Sequence, residues 1–147
     1  SEVIIIGTPD EQSVAENVKD SAGGGLNLAG KTNLQELMFL LGKAALAVVN
    51  DSGAMHLSAA MGGKGVAVFG STDPRATGPL GGKWKIIWNR IDCSPCLKKV
   101  CEIPEKDYDC LKGISPNQVI EALKVLEHAS FANRFLFYSL SFLLQKR

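Results

Sequence analysis

The stretch Val48-Val49-Asn50-Asp51-Ser52-Gly53-Ala54-Met55-His56 decides how the chain folds. The apolar run Leu46 to Val49 that enters it has the composition of a buried strand. Asp51 and Ser52 are residue types that cap a helix N-terminus. Gly53 lets a backbone or a ligand approach closely, and Leu57 to Met61 continues as a helix of small residues. A strand that runs into a capped helix start offers free N–H groups and the positive end of a helix dipole, a ready seat for a phosphate or diphosphate. The stretch points to a nucleotide or a nucleotide-sugar. An ordinary strand-to-helix turn with a good N-cap carries the same pattern.

Outward from this stretch, apolar runs alternate with helical spacing. Val3 to Ile6 ends at Gly7 and reads as a parallel strand covered on both faces. Thr8-Pro9-Asp10-Glu11 opens a helix whose apolar positions are Val14, Ala15 and Val18. Ser21 to Gly25 breaks it. Leu26 to Ala29 is a short strand, and Asn33 caps a helix with Leu34, Leu37, Met38, Leu40 and Leu41 on one face, ending near Gly42. Val66 to Phe69 is a further buried strand; Ser71 to Gly82 is a loop. Trp84 to Trp88, which carries Lys85, reads as a strand nearer the sheet edge. Asp92 to Gly113 is irregular, and Ser115-Pro116 starts a helix with Val119, Ile120, Leu123 and Leu126 on one face. The expected fold is α/β, a Rossmann-like parallel sheet with helices on both faces. The loops Gly7–Glu11, Gly30–Thr32, Asp51–His56 and Gly70–Gly78 should then gather at one edge, where such sheets bind ligands.

Composition narrows the function. The 147 residues suffice for one domain with a sizeable core. With 46% hydrophobic and 21% charged residues the chain is typical of a globular protein. A net charge of +1 supplies no field for nucleic acid. The N-terminus lacks a basic region and a cleavage pattern, so it is not read as a signal peptide. No run approaches the roughly 18 apolar residues of a membrane span. The four cysteines lie between positions 93 and 110, too local for a disulfide framework, and the expected location is cytoplasmic.

Three blocks in order resemble one family: Leu28-Ala29-Gly30-Lys31-Thr32-Asn33-Leu34; Asn50 to Ala60; and Phe69-Gly70-Ser71-Thr72-Asp73-Pro74 with Thr77-Gly78-Pro79. Their spacing is similar to the ADP-heptose:lipopolysaccharide heptosyltransferases, glycosyltransferase family 9, most closely the heptosyltransferase II type. Cys93-Ser94-Pro95-Cys96 with Cys101 and Cys110 strengthens the match, which runs from about Val3 to about Leu126. One departure is Gly62-Gly63-Lys64-Gly65, where the family often has proline.

The resemblance implies a two-domain GT-B glycosyltransferase, of which this chain carries the C-terminal, donor-binding half. The N-terminal domain, and the first strand and helix of the C-terminal one, are expected to be missing. The catalytic base, an aspartate of the N-terminal domain, then has no counterpart here, and the isolated chain is expected to be inactive. The implied reaction is an inverting transfer of heptose from ADP-heptose to the lipopolysaccharide inner core. The alternatives are a related glycosyltransferase using another activated sugar and a non-catalytic nucleotide-binding module.

Carried over residue by residue, Asp51, Ser52 and Gly53 match the donor-binding motif, with the N–H groups of Ser52, Gly53 and Ala54 toward the diphosphate. Asp51 is expected to cap the helix and bond a sugar hydroxyl. His56, one turn in, would donate to a phosphate oxygen. Lys31 and Thr32 match positions near the adenosine; Lys31 also fits a solvated loop charge. Gly7 and Glu11 stand at the end of the first strand, where Glu11 would accept from ribose hydroxyls or simply favour a helix first turn. Thr72, Asp73 and Thr77 border the donor sugar or the acceptor, or only shape the turn at Pro74.

The spacing Cys93-x2-Cys96-x4-Cys101-x8-Cys110 could make a tetrahedral thiolate site for zinc or iron, with Lys98 and Lys99 offsetting charge; the other reading is four reduced cysteines, some buried as small hydrophobes. No metal is expected in the chemistry itself. Residues 1–128 form the expected domain, with the Cys-rich loop at 92–113. Residues 129–147, with Phe131, Phe135, Leu136, Phe137, Tyr138, Leu140, Phe142, Leu143 and Leu144, are expected to form an apolar helix. It would cross onto the N-terminal domain, or touch the inner membrane peripherally through Arg134, Lys146 and Arg147, or drive dimerisation.

Overall fold

The computed structural model of the protein describes residues 2–127 and 135–139. Every strand pairing in it is parallel. Strand β1 (Val3–Ile6) leads through a 3-10 turn into α1 (Gln12–Ser21), then β2 (Leu26–Asn27) and α2 (Leu34–Lys43). Strand β3 (Ala44–Asn50), α3 (Gly53–Ala60) and β4 (Lys64–Phe69) follow. A short helix α4 (Pro74–Thr77), β5 (Lys83–Trp88), a second short helix α5 (Asp109–Lys112), α6 (Pro116–Glu127) and β6 (Phe135–Ser139) complete the order. Among the described residues, no helix is long and apolar enough to cross a membrane.

The expected α/β sheet is present, in the order β2-β1-β6-β3-β4-β5. Alternate residues of the central strands face opposite ways, and each side is covered. Ile4, Ile6, Ala47, Val49, Ala67 and Phe69 pack with Leu41 of α2 and Met55 of α3. Leu46, Val66 and Val68 pack with Leu111, Ile114, Leu123 and Leu126, and Ile5 packs with Ala15 of α1. Burial of each valine, leucine, isoleucine, methionine or phenylalanine among them contributes roughly 1.5–3 kcal/mol, which is why a nearly continuous apolar strand is stable only between two helical layers.

Local signals explain the boundaries. Asn33 caps α2 by accepting from the Glu36 N–H at 2.9 Å, while Glu36 accepts from the Asn33 N–H at 2.8 Å. Ser115 and Gln118 repeat this exchange at the start of α6. α2 runs to Lys43 and passes into β3 at Ala44 without a loop, because Ala44 is already buried against the sheet. β5 is an edge strand, as its lysines predict. The expected loop at 71–82 contains α4, capped by Asp73. At the glycine-rich departure, Gly63 backs onto Ser58, and Lys64 and Gly65 already belong to β4.

The expectation for the tail is corrected. Phe135–Ser139 is a strand, not part of an apolar helix, and it lies in the middle of the sheet between β1 and β3. A short run of aromatic and aliphatic residues fits a covered parallel strand as readily as a helix. Here two unpaired strand edges flank it, and their N–H and C=O groups must find partners. The remainder of the expected helix, with Arg134, Lys146 and Arg147, lies outside the described residues. Numbered from the switch outward, the order matches the doubly wound pattern 3-2-1-4-5-6, with β6 in the place of its first strand.

Candidate nucleotide-binding site

The order in which successive strands join the sheet reverses between β1 and β3, while every strand stays parallel. From β1 the sheet grows outward to β2; from β3 it grows the other way through β4 and β5. Open α/β sheets bind ligands beyond the strand ends at such a point. A cavity of about 230 Å³ lies there, lined by Gly7, Thr8 and Glu11 after β1, Thr32, and Ser52, Gly53 and Ala54 after β3. Of the expected site residues, Gly7, Glu11, Thr32, Ser52 and Gly53 are thus brought together. Lys31 joins through the next cavity, about 500 Å³, which shares Thr32 and adds Leu28, Gln35, Phe39 and Leu40. An exposed aromatic side chain, Phe39, and a lysine on one wall suit a flat polar ring and a charge. Lys31 is exposed, and its Nζ donates to the Asn27 carbonyl at 3.0 Å.

The helix start differs from expectation in one respect. Ser52 occupies the N-cap position but makes no capping hydrogen bond; its hydroxyl donates back to the Asn50 carbonyl at 3.2 Å. Asp51 does not cap either. Its Oδ2 accepts from the Thr77 hydroxyl at 2.8 Å, and its Oδ1 stands 4.0 Å from His56 Nε2. The N–H groups of Gly53 and Ala54 therefore meet no acceptor among the described residues. Both line the cavity. Gly53 is not demanded by the fold: a Cβ built there meets nothing within 4 Å. Unpartnered helix amides at a glycine open to a cavity are the geometry of an anion seat.

Glu11 is 4% exposed, and its Oε2 accepts from the Thr8 N–H at 2.6 Å. It is committed to the turn after β1 while lining the cavity. Gly7 is required by that carboxylate, since a Cβ on Gly7 would lie 2.7 Å from Oε2. Asp73 is held by Arg75, which donates to it from its backbone N–H and guanidinium. The guanidinium keeps the Asp73 carboxyl down at about 2. Thr77 reaches Asp51, while Thr72 lines neither cavity.

Two residues at this site were not anticipated. Thr8 supplies a cavity wall and the donor for Glu11; the pattern Thr8-x-x-Glu11 ahead of an apolar helix is its sequence signal. Asn50 has a buried Oδ1 with no partner among the described residues, at the end of the strand that delivers Asp51. A polar residue closing an apolar strand was its signal.

The four cysteines are all free thiols, and they line one apolar cavity of about 170 Å³. Burial, with the other three thiols, pushes the Cys110 thiol up. Among the described residues, no three His, Cys, Asp or Glu side chains are arranged to hold a metal ion.

Residues 1–107 match Glycosyltransferase family 9 (heptosyltransferase). The chain is 39% identical over 101 residues to Lipooligosaccharide heptosyltransferase 2 of Campylobacter jejuni (serotype O:2), covering 68% of this chain and 31% of that protein. It is 38% identical over 130 residues to Lipooligosaccharide heptosyltransferase 2 of Haemophilus influenzae, covering 84% and 37%. The structure of E. coli ADP-heptose lps heptosyltransferase II superposes with a TM-score of 0.74 at 26% identity, over 89% of this chain and 38% of that one. The chain thus spans about a third of the length of the curated relatives it matches.

Proposed function

The chain belongs to glycosyltransferase family 9, and from that premise we propose that it is the donor-binding half of a GT-B heptosyltransferase. In this reading it grips the diphosphate of ADP-heptose and stabilises ADP as the leaving group. Heptose passes, with inversion, to a hydroxyl of the lipopolysaccharide inner core at the cytoplasmic face of the inner membrane. The observation that carries the reading is the pair of unpartnered amides at Gly53 and Ala54, opening onto the cavity at the sheet's switch point.

The bond that breaks joins the anomeric carbon of heptose to the diphosphate. The bond that forms joins that carbon to the acceptor oxygen, which attacks from the opposite face and gives its proton to a base. The base is assigned to an N-terminal domain and to no residue of this chain. The work of this half is electrostatic. Negative charge grows on the departing phosphate oxygens, and amides already aimed at them need no reorganisation. The dipole of α3 adds about 0.3–1 kcal/mol in favour of that charge. His56, beside the same helix end, donates to a phosphate oxygen in this scheme. Asp51, braced by Thr77, accepts from a sugar hydroxyl. The cavity of Leu28, Lys31, Thr32 and Phe39 takes the adenosine, with Glu11 at the ribose.

Calorimetric titration with ADP, UDP and ADP-heptose tests this. Tighter binding of ADP than UDP, with a gain for ADP-heptose, is expected. Equal affinity for both nucleotides points to another activated sugar, and no binding of any of the three overturns the reading.

A further inference from the structure

The loop from Asn89 to Tyr108 joins β5 to α5, and between Asp92 and Asp109 only Ser94 is buried. So long a segment without regular structure recovers little apolar burial to offset the entropy of ordering it, and such loops in compact domains need another tether. Hydrogen bonds tie one end of it to the end of β4. The Ser94 hydroxyl donates to the Gly70 carbonyl at 2.6 Å and accepts from Trp88 Nε1 at 3.0 Å, and the Leu97 N–H donates to the Ser71 carbonyl at 2.7 Å. Those bonds fix the turn Cys93-Ser94-Pro95-Cys96. Cys110, on α5, packs against the same Gly70: a Cβ there would lie 3.4 Å from its sulfur. Neither anchor involves a thiol bond, yet together they bring the first pair of cysteines and the last to one strand end. Cys101, on the connecting loop, closes the group around the shared cavity.

We propose that Cys93, Cys96, Cys101 and Cys110 form a structural metal site that holds one tetrahedral zinc or iron ion and clips the 92–113 loop to the end of β4. Four thiolates are the donor set for which these ions are selected. The thiols do not enclose an ion as they stand; the free energy of metal–thiolate bonding is what would draw the four together around the cavity they share. Lys98 and Lys106 line the cavity together with Glu102 and Asp109, and Lys98 is paired with Glu102 at 3.1 Å, which leaves Lys106 to oppose the charge of a tetrathiolate. The site is independent of the nucleotide reading, since none of its residues lines the nucleotide cavity.

The test is metal content and thiol protection in the full chain, purified with a thiol reductant from cells supplied with zinc and iron. About one ion per chain is expected. Cobalt substitution should give a tetrahedral thiolate spectrum, and all four cysteines should resist alkylation until a chelator is added. Cys93→Ser and Cys110→Ser should each lose the ion. If a variant fails to fold, the wild-type protection experiment still decides. Metal-free protein with four freely alkylated thiols, cysteines paired as disulfides, or metal retained undiminished in soluble Cys93→Ser each overturns the proposal.

Discussion

Thr77 donates its hydroxyl to Asp51 Oδ2 at 2.8 Å, across 26 positions of sequence. This bond takes the Asp51 carboxylate away from the start of α3 and couples it to the loop after β4. The helix amides are left to whatever enters the cavity. Thr77→Val keeps the shape and removes the donor. Thermal unfolding should show a loss of about 0.5–1.5 kcal/mol, with weaker ADP-heptose binding in calorimetry. Thr77→Ser should restore both, and a Thr77→Val protein with unaltered stability and affinity would remove Asp51 from the scheme.

The two glycines of the cavity at the sheet's switch point should respond oppositely. Gly53→Ala adds a methyl group into open space. Stability should stay within about 0.5 kcal/mol, while ADP affinity falls by about 1–2 kcal/mol, a factor of roughly 5–30. Gly7→Ala drives a Cβ against Glu11, so thermal unfolding should report a loss on the order of 1–3 kcal/mol. If Gly53→Ala bound ADP as well as the parent, a ligand approaching that residue closely would be ruled out.

The pairing of Asp73 with Arg75 has a pH signature. The folded carboxyl titrates at about 2, below its ordinary 3.8, because the Arg75 guanidinium and N–H bond the charged form. Its contribution to stability is complete above 3.8 and is lost as pH falls through about 2. A carboxyl NMR titration should find that midpoint, and Arg75→Ala should carry it up toward 3.8. An unmoved midpoint would contradict the assignment.

Much of the sheet is written locally. Val3 to Ile6 and Val66 to Phe69 are apolar runs between breakers, and Asn33 and Ser115 start helices through bonds three residues away, so their structure follows from neighbours in sequence. The sheet place of Phe135–Ser139 is not local. It depends on two strand edges contributed by residues far upstream, and the same apolar run satisfies a helix. The site divides in the same way. The cavity walls at Gly7, Thr32, Ser52 and Gly53 follow from strand ends, which the pattern locates. Asp51 has the residue type of a cap but bonds Thr77, which lies on another loop and is not visible from its own neighbours. Glu11 proved buried in a turn because packing, invisible in the pattern, closes around it.

The same non-local pairing makes the tail testable. A chain ending at Glu127 would leave β1 and β3 with open edges at the centre of the sheet, a template for association. It should elute in size-exclusion chromatography as larger species than the full chain does. A monomer with unchanged thermal unfolding would show that β6 contributes nothing to the sheet.

The amides that begin α3 are the proposed seat of the diphosphate. Proton–nitrogen NMR spectra of the labelled chain, recorded through a titration with ADP and again with adenosine, observe them directly. ADP should move the Gly53 and Ala54 resonances most, toward the positions of strongly hydrogen-bonded amides, while adenosine leaves them in place. Shifts under ADP that spare both residues would contradict the assignment of this helix end as the diphosphate seat.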